Sequence, residues 1–137
     1  LNLAFSVGAA NPAIRETIMP IEARNPIMEV AQRLAIYGKQ HNRKLTLEYT
    51  LLQGVNDSND CAKQLAHLAT FLNAKVNLIN LNPHPKIPFK PVSESTLQSF
   101  KNQLIANKIR TTVRYSKGQE VVAACGQLGE SNLNLQQ

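Results

Sequence analysis

Along the middle of the chain, Leu45, Leu47, Tyr49 and Leu51 alternate with Thr46, Glu48 and Thr50. A period of two predicts a strand over 44–52 whose faces differ in character, one apolar and one polar. Three other stretches have strand length and composition: 1–5, 75–81 and 109–115. Between them the period changes. Ile27, Val30, Ala31, Leu34 and Tyr37 recur at three- and four-residue spacing, as do Cys61, Leu65, Leu68, Ala69 and Leu72, and then Leu97, Phe100, Leu104 and Ile105. Each set predicts a helix with one buried stripe. Start signals stand where such helices need them: Asn11-Pro12 and Asn25-Pro26, Asp57 or Ser58, and Ser93. Pro20 ends the first short helix near Met19, and Gly38 is expected to end the second. Strands alternating with helices predict an α/β fold with a mainly parallel sheet and flanking helices.

This pattern settles several polar residues. Glu48 projects from the face opposite the leucines, where its carboxylate is either solvated or, on an enclosed face, in need of a partner. Cys61 falls on a helix's apolar stripe and reads as packed core. After the third strand, Asn80-Leu81-Asn82-Pro83-His84-Pro85-Lys86-Ile87-Pro88 holds three prolines, which forbid regular structure and stiffen a loop at a strand's carboxyl end. Loops in that position are where α/β folds keep their chemistry. His84 has no second histidine or carboxylate at ligand spacing and reads as an exposed loop residue.

The 137 residues suffice for one domain with a real core, expected over 1–128, followed by a polar tail over 129–137 without periodicity. Fifteen Lys+Arg against nine Asp+Glu give a formal charge of +6, which suits a polyanionic partner. With no tryptophan, a stacking platform for single-stranded nucleic acid is not visible. No apolar run approaches the roughly 18 residues of a membrane span and no secretory pattern is present, so a cytoplasmic setting is expected. The chain starts at Leu1, in what reads as the middle of a strand, and is expected to be a fragment of something longer.

The second cysteine carries the sharpest local signal. Cys125 follows a basic strand and the Gly118 turn and is flanked by Ala123, Ala124 and Gly126. Small neighbours leave its sulfur open, and Arg114 and Lys117 would favour the reactive thiolate. On local chemistry alone, the same residues read more readily as an ordinary small-residue packing surface. Cys61 and Cys125 form no metal knuckle, and a structural disulfide is not expected in a reducing setting.

The stretch formed by Arg114, Ser116, Gly118 and Ala123-Ala124-Cys125-Gly126-Gln127-Leu128 resembles the C-terminal signature of the radical S-adenosylmethionine RNA adenine C2-methyltransferases, the RlmN/Cfr group. Val76 to Pro83, Leu47-Glu48-Tyr49 with Val55-Asn56-Asp57, and Ile14-Arg15 through Met19-Pro20-Ile21 resemble further family segments in the same order. The resemblance covers nearly the whole chain but only the last third of a family member. It implies the second half of an incomplete (β/α) radical-SAM barrel. It also implies S-adenosylmethionine held by the loop Ser6, Val7, Gly8 and by Asn82, whose local alternative is a turn residue bonding its own backbone. A Ser-Leu-His sequence is usual at the first position, so here an imidazole is missing.

For Cys125 the resemblance implies methylation by one S-adenosylmethionine. A second molecule, cleaved at a 4Fe-4S cluster, then yields a radical that removes hydrogen from the methylated cysteine. The carbon radical adds to adenine of 23S rRNA or tRNA. The cluster motif and the cysteine that releases product have no match here, so the chain alone is expected to bind no cluster and to be inactive. Two other classes stay open: a degenerate paralogue acting as a basic RNA-binding module without catalysis, and a plain α/β domain that self-associates through its sheet edges.

Overall fold

Four strands are joined by helical connections, two helices in the first and one in each of the others, in the computed structural model, which describes residues 2–19, 24–41 and 44–116. The order is β1 (Asn2–Ser6), α1 (Pro12–Ile18), α2 (Ile27–His41), β2 (Lys44–Leu51), α3 (Asn59–Leu72), β3 (Lys75–Asn80), α4 (Glu94–Ala106) and β4 (Thr111–Tyr115). Three of the start signals act as expected, while α2 begins at Ile27, just past Asn25-Pro26. Asn11 Oδ1 accepts the Ile14 N–H at 3.0 Å, Ser58 Oγ the Cys61 N–H at 3.1 Å, and Ser93 Oγ the Thr96 N–H at 3.2 Å. Each satisfies a donor that the first helical turn leaves open.

One boundary differs from expectation. Helix α2 passes through Gly38 and ends at His41. Glycine inside a helix costs only about 1 kcal/mol relative to alanine. Here the helix continues beyond it, with the rings of Tyr37 and His41 in tilted contact one turn apart at a separation of 4.4 Å.

The sheet has the order β1-β2-β3-β4 with every neighbouring pair parallel. Consecutive parallel strands joined by right-handed crossovers in one direction put all the crossover helices on the same face. That face is the core. Leu45, Leu47, Tyr49, Leu51, Val76 and Leu78 from the strands pack with Ile27 and Ala31 of α2, Cys61, Leu65 and Ala69 of α3, and Leu97, Phe100 and Leu104 of α4. Tyr49 and Phe100 stack at 5.4 Å. Cys61 is buried in this cluster, as its spacing predicts. Among the described residues, no helix is long and apolar enough to cross a membrane.

Candidate functional site on the bare face of the sheet

A parallel sheet is normally covered on both faces. Here helices α2 to α4 cover one, and alternation carries the polar residues to the other. Strand register lines them up in rows. Ser6, Glu48, Asn77 and Thr112 stand side by side across all four strands, and in the next row toward the strands' carboxyl ends Thr50 and Arg114 flank Ile79, an apolar residue that is buried on this face. Thr112 Oγ1 donates to Asn77 Oδ1 at 3.1 Å. The expectation for Glu48 is met with a partner: Arg114 Nη2 approaches Glu48 Oε2 at 3.9 Å, crossing β3 to do so. Both side chains stay partly exposed, at 43% for Arg114 and 30% for Glu48, so the pair is weak.

Three loops meet at the carboxyl ends of the strands. The first, after β1, carries Ser6, Val7 and Gly8. Ser6 is exposed, and its hydroxyl bonds no other described residue. Val7 points the opposite way into the core; its N–H donates to Glu48 O at 3.0 Å and its carbonyl accepts Arg15 Nε at 3.1 Å. Gly8 has a φ of +74°, and a Cβ there would come within 2.5 Å of Met19 Sδ, so the turn's own packing calls for glycine. The Gly8 carbonyl accepts Asn56 Nδ2 at 2.9 Å. Of the three candidate contacts in this loop, only Ser6 keeps a side-chain polar group free.

The loop after β3 carries Asn82. Its base is closed by Asn80, which is buried: Asn80 Nδ2 donates to Val92 O, and Asn80 Oδ1 accepts from Val92 N, both at 3.1 Å. Leu52 and Leu81 form a small apolar cluster under the loops, with Ile18, Val55, Ile87 and Phe89 packed against it. Asn82 is exposed beyond this closure, and its amide bonds no other described residue. His84 takes part in a local turn, its Nδ1 accepting the Lys86 N–H at 3.1 Å. Ser6 and Asn82 therefore share one end of the sheet on strands two positions apart, about 10 Å sideways from strand spacing. Ser6 is level with Asn77, five residues short of Asn82.

Cys125, the Gly118 turn and the 129–137 tail lie outside the described residues. Sequence reasoning missed three buried polar residues that shape these loops. Arg15 is 2% exposed and spans from Val7 O to Asn25 O, the latter at 2.8 Å from Nη1. From sequence, Asn56 stands only as a member of the Val55-Asn56-Asp57 segment, and Asn80 only as part of the third strand and the loop it leads into. Among the described residues, no group of three His, Cys, Asp or Glu side chains could hold a metal ion.

No family model matches the chain. Among solved structures, the crystal structure of a radical SAM methyltransferase from Sphaerobacter thermophilus superposes with a TM-score of 0.81 at 42% identity, over 93% of this chain and 37% of that one. A domain of pyruvate-formate lyase-activating enzyme from Bacteroides vulgatus superposes at 0.64 and 16% identity, over 82% of this chain and 66% of that one, a likeness of fold alone. The one-directional βα repeat with a bare polar face is thus the α/β architecture of radical SAM enzyme domains. In sequence, the chain is 39% identical over 132 residues to "Probable dual-specificity RNA methyltransferase RlmN 1" of Protochlamydia amoebophila, covering 96% of this chain and 37% of that protein. It is 41% identical over 132 residues to "Dual-specificity RNA methyltransferase RlmN" of Lawsonia intracellularis, with the same coverages. The chain belongs to the RlmN family of radical SAM methyltransferases, and it spans a little over a third of the length of these relatives.

Proposed function

We propose that this chain is the C-terminal part of a cytoplasmic radical SAM enzyme that methylates C2 of an adenine in 23S rRNA, and in tRNA as well, with Cys125 as the methyl carrier. The observation that carries the proposal is the kinship to RlmN proteins over 96% of the chain. The bare polar face of the sheet supports it.

The fit to S-adenosylmethionine rests on the two loops. Ser6 and Asn82 offer a hydroxyl and an amide without partners among the described residues, at the same end of the sheet. An amide both donates and accepts, so Asn82 can meet either kind of polar group on the ligand. When bound, S-adenosylmethionine supplies an electrophilic methyl group. The Cys125 thiolate would take it: a carbon–sulfur bond to Cys125 forms as the sulfonium bond breaks, and S-adenosylhomocysteine leaves. The described residues do not fit a 4Fe-4S cluster, because Cys61 is packed in the core and no ligand group accompanies it. The cluster's ligands would come from the rest of the parent. The net charge of +6 favours approach of RNA.

The test is intact-peptide mass spectrometry of the full-length parent expressed with its cluster. A methyl-sized mass increase on the Cys125 peptide, with loss of RNA methylation in Cys125→Ala, is the expected result. Unmodified thiol in active enzyme overturns the carrier role. A second reading, RNA binding without catalysis, is favoured by Val7 and Gly8 standing where the family usually has Leu-His. Under it the parent lacks the three-cysteine cluster motif and retains RNA affinity without binding S-adenosylmethionine.

A further inference from the structure

Asn56 makes more hydrogen bonds than its place in a turn requires. It is fully buried. Its Nδ2 donates to Gly8 O at 2.9 Å and Thr50 O at 2.8 Å, and its Oδ1 accepts the Leu52 N–H at 2.8 Å. Its own carbonyl accepts the Tyr49 hydroxyl at 2.7 Å, so the residue is also anchored to the core beneath. Two of these bonds tie the end of β2 to the turn before α3, an ordinary local closure. The bond to Gly8 is different, since it reaches 48 residues back along the chain to the loop that carries Ser6.

That loop is held from two sides. Arg15 takes the carbonyl of Val7 and Asn56 takes the carbonyl of Gly8, while Met19 fills the space beside Gly8. Both carbonyls are thereby occupied within the protein. Alternation then leaves Ser6 on the bare face, level with Glu48. A loop fixed before its ligand arrives loses less conformational freedom on binding, and the gain appears as affinity.

We propose that Asn56 is a positioning residue: it presets the β1–α1 loop so that Ser6 meets S-adenosylmethionine. The inference rests on the reading that Ser6 is a ligand contact. Asn56→Asp keeps the acceptor for Leu52 N–H but sets a carboxylate oxygen against the Gly8 and Thr50 carbonyls, and the loop loses its hold. Asn56→Ser retains one donor and fits the site without overpacking.

The experiment uses the full-length, cluster-loaded parent. It compares wild type, Asn56→Asp, Asn56→Ser and Ser6→Ala in calorimetric binding of S-adenosylhomocysteine, KM for S-adenosylmethionine, kcat and melting temperature. Asn56→Asp is expected to weaken binding and raise KM about tenfold, with kcat at saturation within about threefold of wild type and Asn56→Ser intermediate. A lowered melting temperature with unchanged binding and KM would mark Asn56 as structural only and overturn the inference. If Asn56→Asp does not fold, Asn56→Ser decides on the same criterion. If Ser6→Ala weakens binding and the Asn56 variants do not, the inference falls and the ligand reading stands. If no variant, Ser6→Ala included, changes binding, the ligand reading falls and takes the inference with it.

Discussion

The two faces of the same four-stranded sheet solve opposite problems. On the helix side, Leu47, Tyr49, Leu51, Val76 and Leu78 are closed off by three helices, and stability comes from area removed from water. On the other side, Ser6, Glu48, Asn77, Thr112 and Arg114 stay wholly or partly exposed, and the Glu48–Arg114 pair is loose at 3.9 Å. Polar side chains screened by water contribute little to folding. Residues one position apart on one strand therefore ought to respond very differently to substitution.

The largest effect is expected at Phe100. Phe100→Ala removes the ring stacked on Tyr49 and leaves a cavity, costing about 3–5 kcal/mol in denaturant titration. A loss under about 1 kcal/mol there would show that the covered face is not a close-packed core. Next comes Asn80, which belongs to the loop system between the faces. Asn80→Ala leaves both backbone groups of Val92 and the Leu81 N–H unpaired, at about 1–3 kcal/mol, and proteolysis between 82 and 91 should quicken.

An alkaline titration sharpens the contrast without any substitution. Burial, then the neighbouring Cys61, pushes the Tyr49 hydroxyl far above the usual range for tyrosine. In the folded state the neutral phenol is favoured, so the stability it supports is full below about pH 10, where unfolded tyrosine titrates, and declines as pH rises above that. Phenolate absorbance from Tyr49 should appear only together with unfolding. Independent titration in a folded protein would mean that water reaches the covered face.

The smallest effects belong to the bare face. Glu48→Gln should change stability by less than about 1 kcal/mol, and added salt should shrink the difference further. Ser6→Ala should leave stability within about 0.5 kcal/mol while weakening S-adenosylhomocysteine binding by the parent. A bare-face substitution as costly as Phe100→Ala would abolish the distinction between the faces.

The fold was largely legible because its signals are local. Alternation over 44–52 and the caps at Asn11, Ser58 and Ser93 each lie within one element, so periodicity and start residues located the strands and helices closely. Gly38 misled because a helix interior tolerates one glycine when the residues on both sides sustain the turn. Strand alternation also placed Glu48 on the right face. The supports of the candidate site were not legible. The bond of Asn56 to Gly8 and that of Asn80 to Val92 join loops distant in sequence, and no local pattern distinguishes such an asparagine from one in a plain turn. For Ser6 and Asn82 the motifs supplied the residues and the structure supplied their exposure. Cys125 rests on its motif.

The paired bonds between Asn80 and Val92 have a consequence for how this protein can vary. They pinch the proline-rich segment at its stem, so its two ends stay together whatever lies at the tip. Such a segment behaves as a cassette: its tip over 83–86 is open to exchange, altering what docks at the mouth, while Ile87 and Phe89 stay packed against Leu52 and Leu81 and the strands below keep their places.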